Sequence, residues 1–360
     1  MGPNGEGGAD AARPMEHALG LYFCSALEEW AGGPPAEGGP RGEDVSAYRL
    51  LMDAAVLADE SGLDFVWLPE RHRTPSGAGR PNPAVIAAAL AVRTHTVRIR
   101  AGSVMPPLHD PLRVAEEWAV VDNLSNGRVE ISTATDGNPR DSVTAPDAFA
   151  EHADRALRNL RIVQDLWSGR EVTRTGPDDT EYEVRTYPRP VQPRLPYWIT
   201  TAGDPDTFAY AGAAGAGLLT GYGAFPGERL AELVTVYRHA YATHHEGRGR
   251  VAVMAHTTIG DDGAEIRGLA ERPLRACLAD CASRQDEPDE AALRTSLDLA
   301  VQRHLHGRSL IGDRSEVMSR MREMHDAGAD EIACLVDFGM PRETVLDTVV
   351  ELGRIRKDRP

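Results

Sequence analysis

The stretch VRIRAGSVMPPLHDPLRVAEEWAVVDNLSNGRVEISTATDG, from Val97 to Gly137, predicts the fold of the whole chain. VRIRAGSVM alternates as a strand does, and PLHDP ends it. A helix then begins at Pro111, and one of its faces is apolar: Val114, Trp118, Val121 and Leu124. Ser-Asn-Gly stops this helix, and RVEISTA is the next strand. This order is a β-α-β crossover, which implies parallel strands with a helix packed outside them.

The length and composition are those of an enzyme. A chain of 360 residues and 39.0 kDa suits two ordinary domains or one large α/β barrel, and 41% hydrophobic residues suffice for a large core. No run of eighteen apolar residues predicts a membrane span, and the polar, Gly-rich start lacks the apolar region of a signal peptide. We therefore expect a cytoplasmic protein with a disordered tail at 1–17 and a single domain over 18–360.

Charge and cysteine content exclude several classes of function. The net charge of −16 disfavours nucleic-acid binding, which needs clustered Lys and Arg. The four cysteines are too few for a disulfide framework and are predicted to be free: Cys24, Cys277, Cys281 and Cys334. Two thiols four residues apart do not make a zinc site, and no H-x-x-x-H spacing stands out, so no metal centre is predicted.

Further strands and helices alternate along the chain. GLYFCSA, from Gly20, is the first strand, Asp44 can cap a helix starting near Val45, and LDFVWL is the second strand. The remaining strands are YWITT, GLLT, VAVMAHTTIG and EIACLVDFG. Glu171–Pro196 has the alternation of a hairpin inserted between strands four and five, and Arg267–Leu305 contains inserted helical stretches.

Eight strands, each followed by a helix, predict an α/β fold of the TIM (β/α)8 barrel type. A doubly wound open sheet is the main alternative. It usually needs a Gly-rich first turn, and no such fingerprint stands at a strand-to-helix junction here.

In a barrel, the residues at the carboxyl ends of the strands form the site. Small residues dominate these positions and leave room for a flat ligand: Ser25, Ala26, Gly102, Ser103, Thr135, Gly137, Thr201, Ala202, Gly203, Thr220 and Gly221. His256 and Thr257 occupy the corresponding place after the seventh strand.

Two polar stretches at these ends have open interpretations. TTAGDPDTFAYAG places Gly203 and Thr207 at a helix start that suits a phosphate, but Asp204 can cap the same helix, and the residues alone favour capping. Glu70-Arg71-His72 can supply an acid, a base and an anion clamp, or an internal Glu–Arg pair holding a loop. His109-Asp110 can contact a ligand or only cap the next helix.

The chain resembles the bacterial luciferase-like flavin monooxygenases, most closely those found beside polyketide and nonribosomal-peptide assembly lines. The phrases that carry the resemblance run in order from Gly20 to Phe338: LDFVWLPERH, PNPAVIAAALA, IRAGSVMPPLHDPLRVAEEWAVVDNLSNGRV, VRTYPRPVQPRLPYWITTAG and GADEIACLVDFG.

The resemblance implies a barrel that binds reduced FMN at the strand ends, uses O2, and receives its flavin from a separate reductase. It places a non-proline cis peptide at Gly102-Ser103, under the flavin ring. Further flavin contacts fall on Thr135 and Gly137, and Arg155 reaches the phosphate. The phosphate loop falls on Gly203 and Thr207, beside Ala202, so the resemblance favours the phosphate interpretation there.

The sequence also departs from the family at three turns. Thr135-Asp136-Gly137-Asn138-Pro139 replaces a turn that has a bulky ring and a histidine in the family. Arg73-Thr74-Pro75 replaces the aromatic residue and second histidine expected after Glu-Arg-His. Gly221, next to Tyr222, occupies a position where the family has a histidine or tryptophan. A carboxylate at Asp136 would weaken the binding of an anionic cofactor.

The leading functional prediction is an FMNH2- and O2-dependent monooxygenase acting on a small or carrier-bound intermediate of secondary metabolism. Glu70 and His72 are predicted to handle protons, with Arg71, Tyr222 and His109 near substrate. The alternatives are a reductase or dehydrogenase using flavin or deazaflavin, and a barrel that has lost flavin and acts as a binding protein or a cofactor-independent enzyme. A homodimer is expected.

Overall fold

The computed structural model describes residues 17–23, 42–71, 82–104, 108–134, 145, 152–224, 227–282 and 290–358. Its strands, in chain order, are β1 (Ala18–Tyr22), β2 (Phe65–Leu68), β3 (Arg98–Val104), β4 (Val129–Ala134), β5 (Val172–Thr175), β6 (Glu181–Val184), β7 (Tyr197–Thr201), β8 (Gly217–Gly221), β9 (Val251–Ile259), β10 (Leu310–Gly312) and β11 (Glu331–Leu335).

The helices are α1 (Gly42–Ser61), α2 (Pro83–Ala91), α3 (Pro111–Ser125), α4 (His152–Ser168), α5 (Pro205–Ala213), α6 (Gly227–His244), α7 (Gly263–Ala282), α8 (Glu290–Leu305), α9 (Arg314–Asp326) and α10 (Arg342–Lys357). In the part of the chain that the structure describes, none of these helices combines the length and apolarity needed to cross a membrane.

Eight parallel strands close into a barrel. The hydrogen-bonded order is β9-β11-β1-β2-β3-β4-β7-β8, and β8 pairs again with β9, so these eight strands form a closed ring. This closure confirms the predicted (β/α)8 barrel and excludes the doubly wound sheet.

The central β-α-β unit forms as its local signals predict. Asp110 accepts a hydrogen bond from the Leu112 N–H at the start of α3, and Asn126 ends the helix in the left-handed conformation, with φ of 57°. Val114, Trp118 and Val121 are buried. Leu124, predicted on the same face, is instead 47% exposed, because it lies at the edge of the apolar stripe in the last turn.

Two predicted boundaries were wrong near the amino end. The first strand is Ala18–Tyr22 rather than a segment starting at Gly20, because its register is set by pairing with β11 as well as β2. The helix that follows begins at Gly42 rather than near Val45, so Asp44 falls within its first turn. The predicted tail, Ser25 and Ala26 lie mainly or wholly outside the described residues.

Two insertions interrupt the alternation of barrel strands and helices. β5 and β6 form the predicted antiparallel hairpin before β7. The second insertion comprises α7, α8 and β10; β10 adds a ninth parallel strand beside β9, which the sequence analysis missed because it has only three residues. The carboxyl end of α7 reaches back toward the segment after β2, where Asp280 lies 3.9 Å from Arg71.

The barrel interior is filled by charged and aromatic side chains rather than by aliphatic layers. Arg100 is fully buried, with Nε 3.0 Å from Glu130 and Nη1 2.5 Å from Glu331. Its guanidinium lies over the rings of Phe65, Trp67 and Trp198 at 4.1, 5.0 and 4.8 Å. We call Arg100, Glu130, Arg250 and Glu331 the interior ionic cluster.

Two glycines make room for these rings. A Cβ on Gly217 would lie 2.4 Å from the Trp198 ring, and one on Gly20 would lie 2.2 Å from the Phe65 carbonyl oxygen. A glycine at each position is therefore a packing requirement of the filled barrel.

Candidate active site

Three hydroxyl groups line the carboxyl ends of neighbouring strands β3, β4 and β7. Ser103 Oγ donates to Thr200 Oγ1 at 3.2 Å, and the Ser132 and Thr200 hydroxyls are 2.5 Å apart. Ser132 is fully buried, while Ser103 and Thr200 are partly exposed. We call these residues the hydroxyl trio; they form a polar floor made of small side chains.

The backbone is irregular beneath this floor. The β3–β4 register shifts between Ala101 and Val104, and Ser103 has a φ of 139°, a conformation that side-chain-bearing residues rarely adopt. The Tyr22 hydroxyl donates to the Gly102 carbonyl at 2.7 Å. The cis peptide expected at Gly102-Ser103 is absent: among the described residues, only the Tyr187–Pro188 bond is cis. The local irregularity is carried instead by φ of Ser103 and the register shift.

The predicted acid Glu70 and the predicted substrate contact His109 form a pair. The Glu70 side chain is fully buried just after β2, and its Oε1 makes a short hydrogen bond to His109 Nε2 from the segment before α3. This hydrogen bond, outweighing burial, raises the pKa of His109, and the charges of Glu70 and Glu117 add to the effect. The His109 side chain remains 35% exposed, so the pair can exchange a proton with a ligand at the mouth.

Helix α4 supports this pair. Asn159 Nδ2 donates to the His109 carbonyl at 3.4 Å. Arg155 stands one turn earlier on the same helix face, is partly exposed, and makes no ion pair with the described residues. Because α4 follows β4, its amino end lies at the carboxyl ends of the strands, as the predicted phosphate contact requires.

The helix start at α5 is capped from within the chain. Asp204 accepts hydrogen bonds from the Thr207 N–H at 3.0 Å and the Thr207 hydroxyl at 2.6 Å, and its pKa is lowered by these bonds. Gly203 donates its N–H to Thr201 Oγ1, and Ala202 is exposed beside it. The capping interpretation is therefore the one that this structure shows, and Thr207 as a phosphate contact needs Asp204 to move away.

Tyr222 is the one remaining predicted residue that the structure describes. Tyr222 is buried in the outer core, where burial first and then the Glu323 carboxylate of α9 raise the pKa of its hydroxyl. Its side chain packs between the barrel and α9 and is 5% exposed, so its role as a substrate contact stays a prediction. His72, Thr135 and Gly137, with the turn Asp136–Pro139, lie outside the described residues.

A second polar region borders the mouth where α7 and α8 pack over β9. It comprises His256, Cys277, His304, Arg71 and Asp280; His256 Nε2 lies 3.6 Å from Cys277 Sγ, and the two histidine rings are 5.3 Å apart. From the sequence, His256 was expected at a strand end without an assigned role, and His304 was not predicted to be part of a site. Cys277, Cys281 and Cys334 are not in disulfides, as predicted, and Cys24 lies outside the described residues.

Comparison with known proteins identifies the family. Residues 29–331 match the model of the luciferase-like monooxygenases, so the chain belongs to this family of (β/α)8 barrel proteins. The oxygenase component of a flavin-dependent trigonelline monooxygenase from Acinetobacter baylyi is 24% identical over 309 residues, which cover 82% of this chain and 85% of that protein.

Relatives of a second chemical type also match. An F420-dependent glucose-6-phosphate dehydrogenase from Amycolatopsis mediterranei is 30% identical over 177 residues, which cover 48% of this chain and 53% of that protein. Among solved structures, the monooxygenase RslO1 from Streptomyces bottropensis superposes with a TM-score of 0.76 at 23% identity, covering 94% of this chain and 98% of that one. The family thus includes both flavin-dependent monooxygenases and F420-dependent dehydrogenases.

Proposed function

We propose that this protein is an FMNH2- and O2-dependent monooxygenase of secondary metabolism, acting on a small or carrier-bound intermediate. The observation that carries the proposal is the placement of the proton-exchanging Glu70–His109 pair at the same mouth as the small-residue floor of the hydroxyl trio. The similarity to a flavin-dependent oxygenase component supports it and favours a separate flavin reductase as partner. A cytoplasmic location remains part of this proposal.

The residues present fit a flavin ring. The floor has no large side chain at the described ends of β3, β4, β7 and β8, and a Cβ placed on Gly221 would meet no atom within 4 Å. Ser103, Ser132 and Thr200 can hydrogen bond to a polar ring edge. A reduced flavin bound there would supply the electrons for O2 activation.

In this proposal, Arg155 binds the phosphate of FMN. Arg155 is a guanidinium without a carboxylate partner among the described residues, whereas the N–H groups at the start of α5 face Asp204. A guanidinium binds phosphate well because its N–H groups match the phosphate oxygens.

The chain's own residues then manage water and protons. His109 Nε2 is hydrogen bonded to Glu70 Oε1, and the raised pKa of His109 favours the protonated imidazole, which can donate a proton. α7 and α8 cover the side of the mouth nearest β9, which helps to exclude water from the reacting centre.

Flavin titrations test the cofactor. We expect FMNH2, added without O2, to bind more tightly than riboflavin, and Arg155→Ala to weaken FMNH2 binding roughly 10-fold without changing riboflavin binding. Arg161→Ala, an exposed arginine on the same helix, is the matched control. Equal loss for FMNH2 and riboflavin would show that Arg155 does not hold the phosphate.

Turnover tests the reaction. Reduced FMN, O2 and catalase should convert an intermediate of the pathway to a product that carries one oxygen atom from ¹⁸O2. The F420-dependent relative motivates a second candidate, a deazaflavin-dependent dehydrogenase. Anaerobic turnover with F420 and no oxygenated product would favour that candidate, and failure to bind any flavin would leave a binding protein or a cofactor-independent enzyme.

We further propose that α2 and α3 bind a second copy of this chain. These adjacent helices expose Val85, Val92, Val120 and Leu124 by 43% to 66%. Val92→Asp with Leu124→Asp should convert a dimer to a monomer in light scattering. Leu299→Asp, at an exposed leucine of α8, should leave the mass unchanged.

A further inference from the structure

His256 is the sixth residue of β9, in the inward-facing series that includes Ala252 and Met254. Its ring packs edge-on against His304 of α8 and Phe338, with centroids 5.3 Å away in each case. Its neighbours Ala255 and Thr257 are buried, whereas His256 keeps part of its surface exposed. The ring is therefore fixed on several sides and open on one.

The ring is electrically neutral. Burial, followed by the charges of His304 and Arg71, lowers the pKa of His256 to about 3. A neutral imidazole has one N–H donor and one bare nitrogen acceptor, and the hydrogen bond of one nitrogen decides which is which.

Cys277 contacts the nitrogen that decides this choice. Its Sγ lies 3.6 Å from His256 Nε2; a thiol is a weak donor and its sulfur a weak acceptor, whereas a bare imidazole nitrogen accepts well. A hydrogen bond from the thiol to Nε2 is therefore the stronger arrangement, and it leaves the ring proton on Nδ1. Within the described residues, Nδ1 has no acceptor.

The surrounding charge favours a neutral partner for this donor. The Arg71 guanidinium, which acts on the ring, is paired with Asp280 at 3.9 Å, so the two charges largely compensate each other. Phe338 supplies an apolar wall on another side. A carboxylate would find neither a cationic imidazole nor an uncompensated cation in this set.

We propose that His256 binds substrate, its Nδ1–H donating to an uncharged carbonyl oxygen, and that Cys277 is the positioning residue that fixes this tautomer. The assignment rests on the proposed function, since it names the group by which the substrate of that site is held.

The tautomer is tested by ¹⁵N NMR of protein labelled at histidine, with the His256 signals assigned by their loss in His256→Phe. We expect Nδ1 protonated and Nε2 bare, with no titration between pH 5 and 9. Cys277→Ser keeps a donor and should keep this pattern, whereas Cys277→Ala should release the ring to mixed tautomers. Cys281→Ala, at an exposed cysteine on the same helix, is the control. A protonated Nε2 in the unsubstituted protein would overturn the proposal.

The ligand class is tested on the same samples with cyclohexanone and cyclohexanecarboxylate as probes. Cyclohexanone should shift the Nδ1 signal of His256, and its affinity should fall roughly 2- to 10-fold in Cys277→Ala and in His256→Phe. The carboxylate should bind less well. No shift with cyclohexanone, or a larger shift with the carboxylate, would overturn the proposal. These measurements need no flavin, so their failure is distinguishable from a failure of the flavin titrations.

Discussion

The barrel interior and the barrel mouth are both polar, but they differ in how their charges are satisfied. The interior ionic cluster joins two buried carboxylates to Arg100, which is fully buried, and to Arg250, whose side chain is 27% exposed, and its members pair with one another. At the mouth, Glu70 is buried but its partner His109 is partly exposed, and the hydroxyl trio borders open space. Polar groups that fill space stabilise the fold, whereas groups with one open side can bind and react.

The largest effect should come from breaking the interior. Arg100→Met leaves Glu130 and Glu331 with less compensation, and it should lower the free energy of unfolding by about 3–5 kcal/mol in urea titrations. Arg113→Ala removes a surface i,i+4 ion pair with Glu117 and should change the free energy of unfolding by less than about 0.5 kcal/mol. Similar losses for both variants would remove the distinction between filled interior and surface.

Substitutions at the mouth should reduce activity more than stability, the opposite of substitutions in the interior. Glu70→Gln removes the proton partner of His109 while keeping the side-chain size, and it should reduce product formation about 100-fold or more. His95→Gln, at an exposed histidine, is the control. If Glu70→Gln unfolds the protein but leaves the remaining folded fraction fully active, the pair belongs with the structural charges.

The stability contributed by the two regions should depend on pH with opposite signs. Burial alone would raise the pKa of Glu130, but Arg100, Arg250, Arg98 and the Trp198 N–H outweigh it and lower that pKa from 4.5 to about 2. The resulting stabilisation, about 3 kcal/mol, is complete above pH 4.5 and is lost as the pH falls toward 2. Unfolding measured across this range should show a smaller slope in Glu130→Gln.

The stabilising contribution of His109 should have the opposite pH dependence to that of Glu130. Because its pKa is raised in the folded protein above 6.5, its pairing with Glu70 stabilises the fold fully below that pH, and the contribution disappears as the pH rises through the folded pKa. The NMR titration midpoint of His109 should move down in Glu70→Gln. An unchanged midpoint would show that Glu70 does not set the protonation of this ring.

The smallest effect concerns the cap of α5. Asp204→Ala should lower the stability only slightly, in thermal unfolding, because the Thr207 N–H loses its acceptor at an exposed helix end. The same change frees the helix start and removes a negative charge, so FMN binding should become tighter if phosphate can reach it. An unchanged affinity for FMN would leave the phosphate to Arg155.

The sequence determined the local elements of this protein. The bounds of α2 and α3 follow from prolines and capping residues within a few positions of each end, and Asp313 caps α9 together with Glu316. Such signals act over one helical turn, so they can be read before any tertiary contact is known.

Only the tertiary structure decided which polar groups meet. Glu70 and His109 are 39 residues apart, and Arg100 and Glu331 are 231 apart. Closing the barrel brings such residues together and fixes which partner each one finds. The same closure brings Cys277 to His256, because that contact depends on the distances that packing sets rather than on the residue types alone.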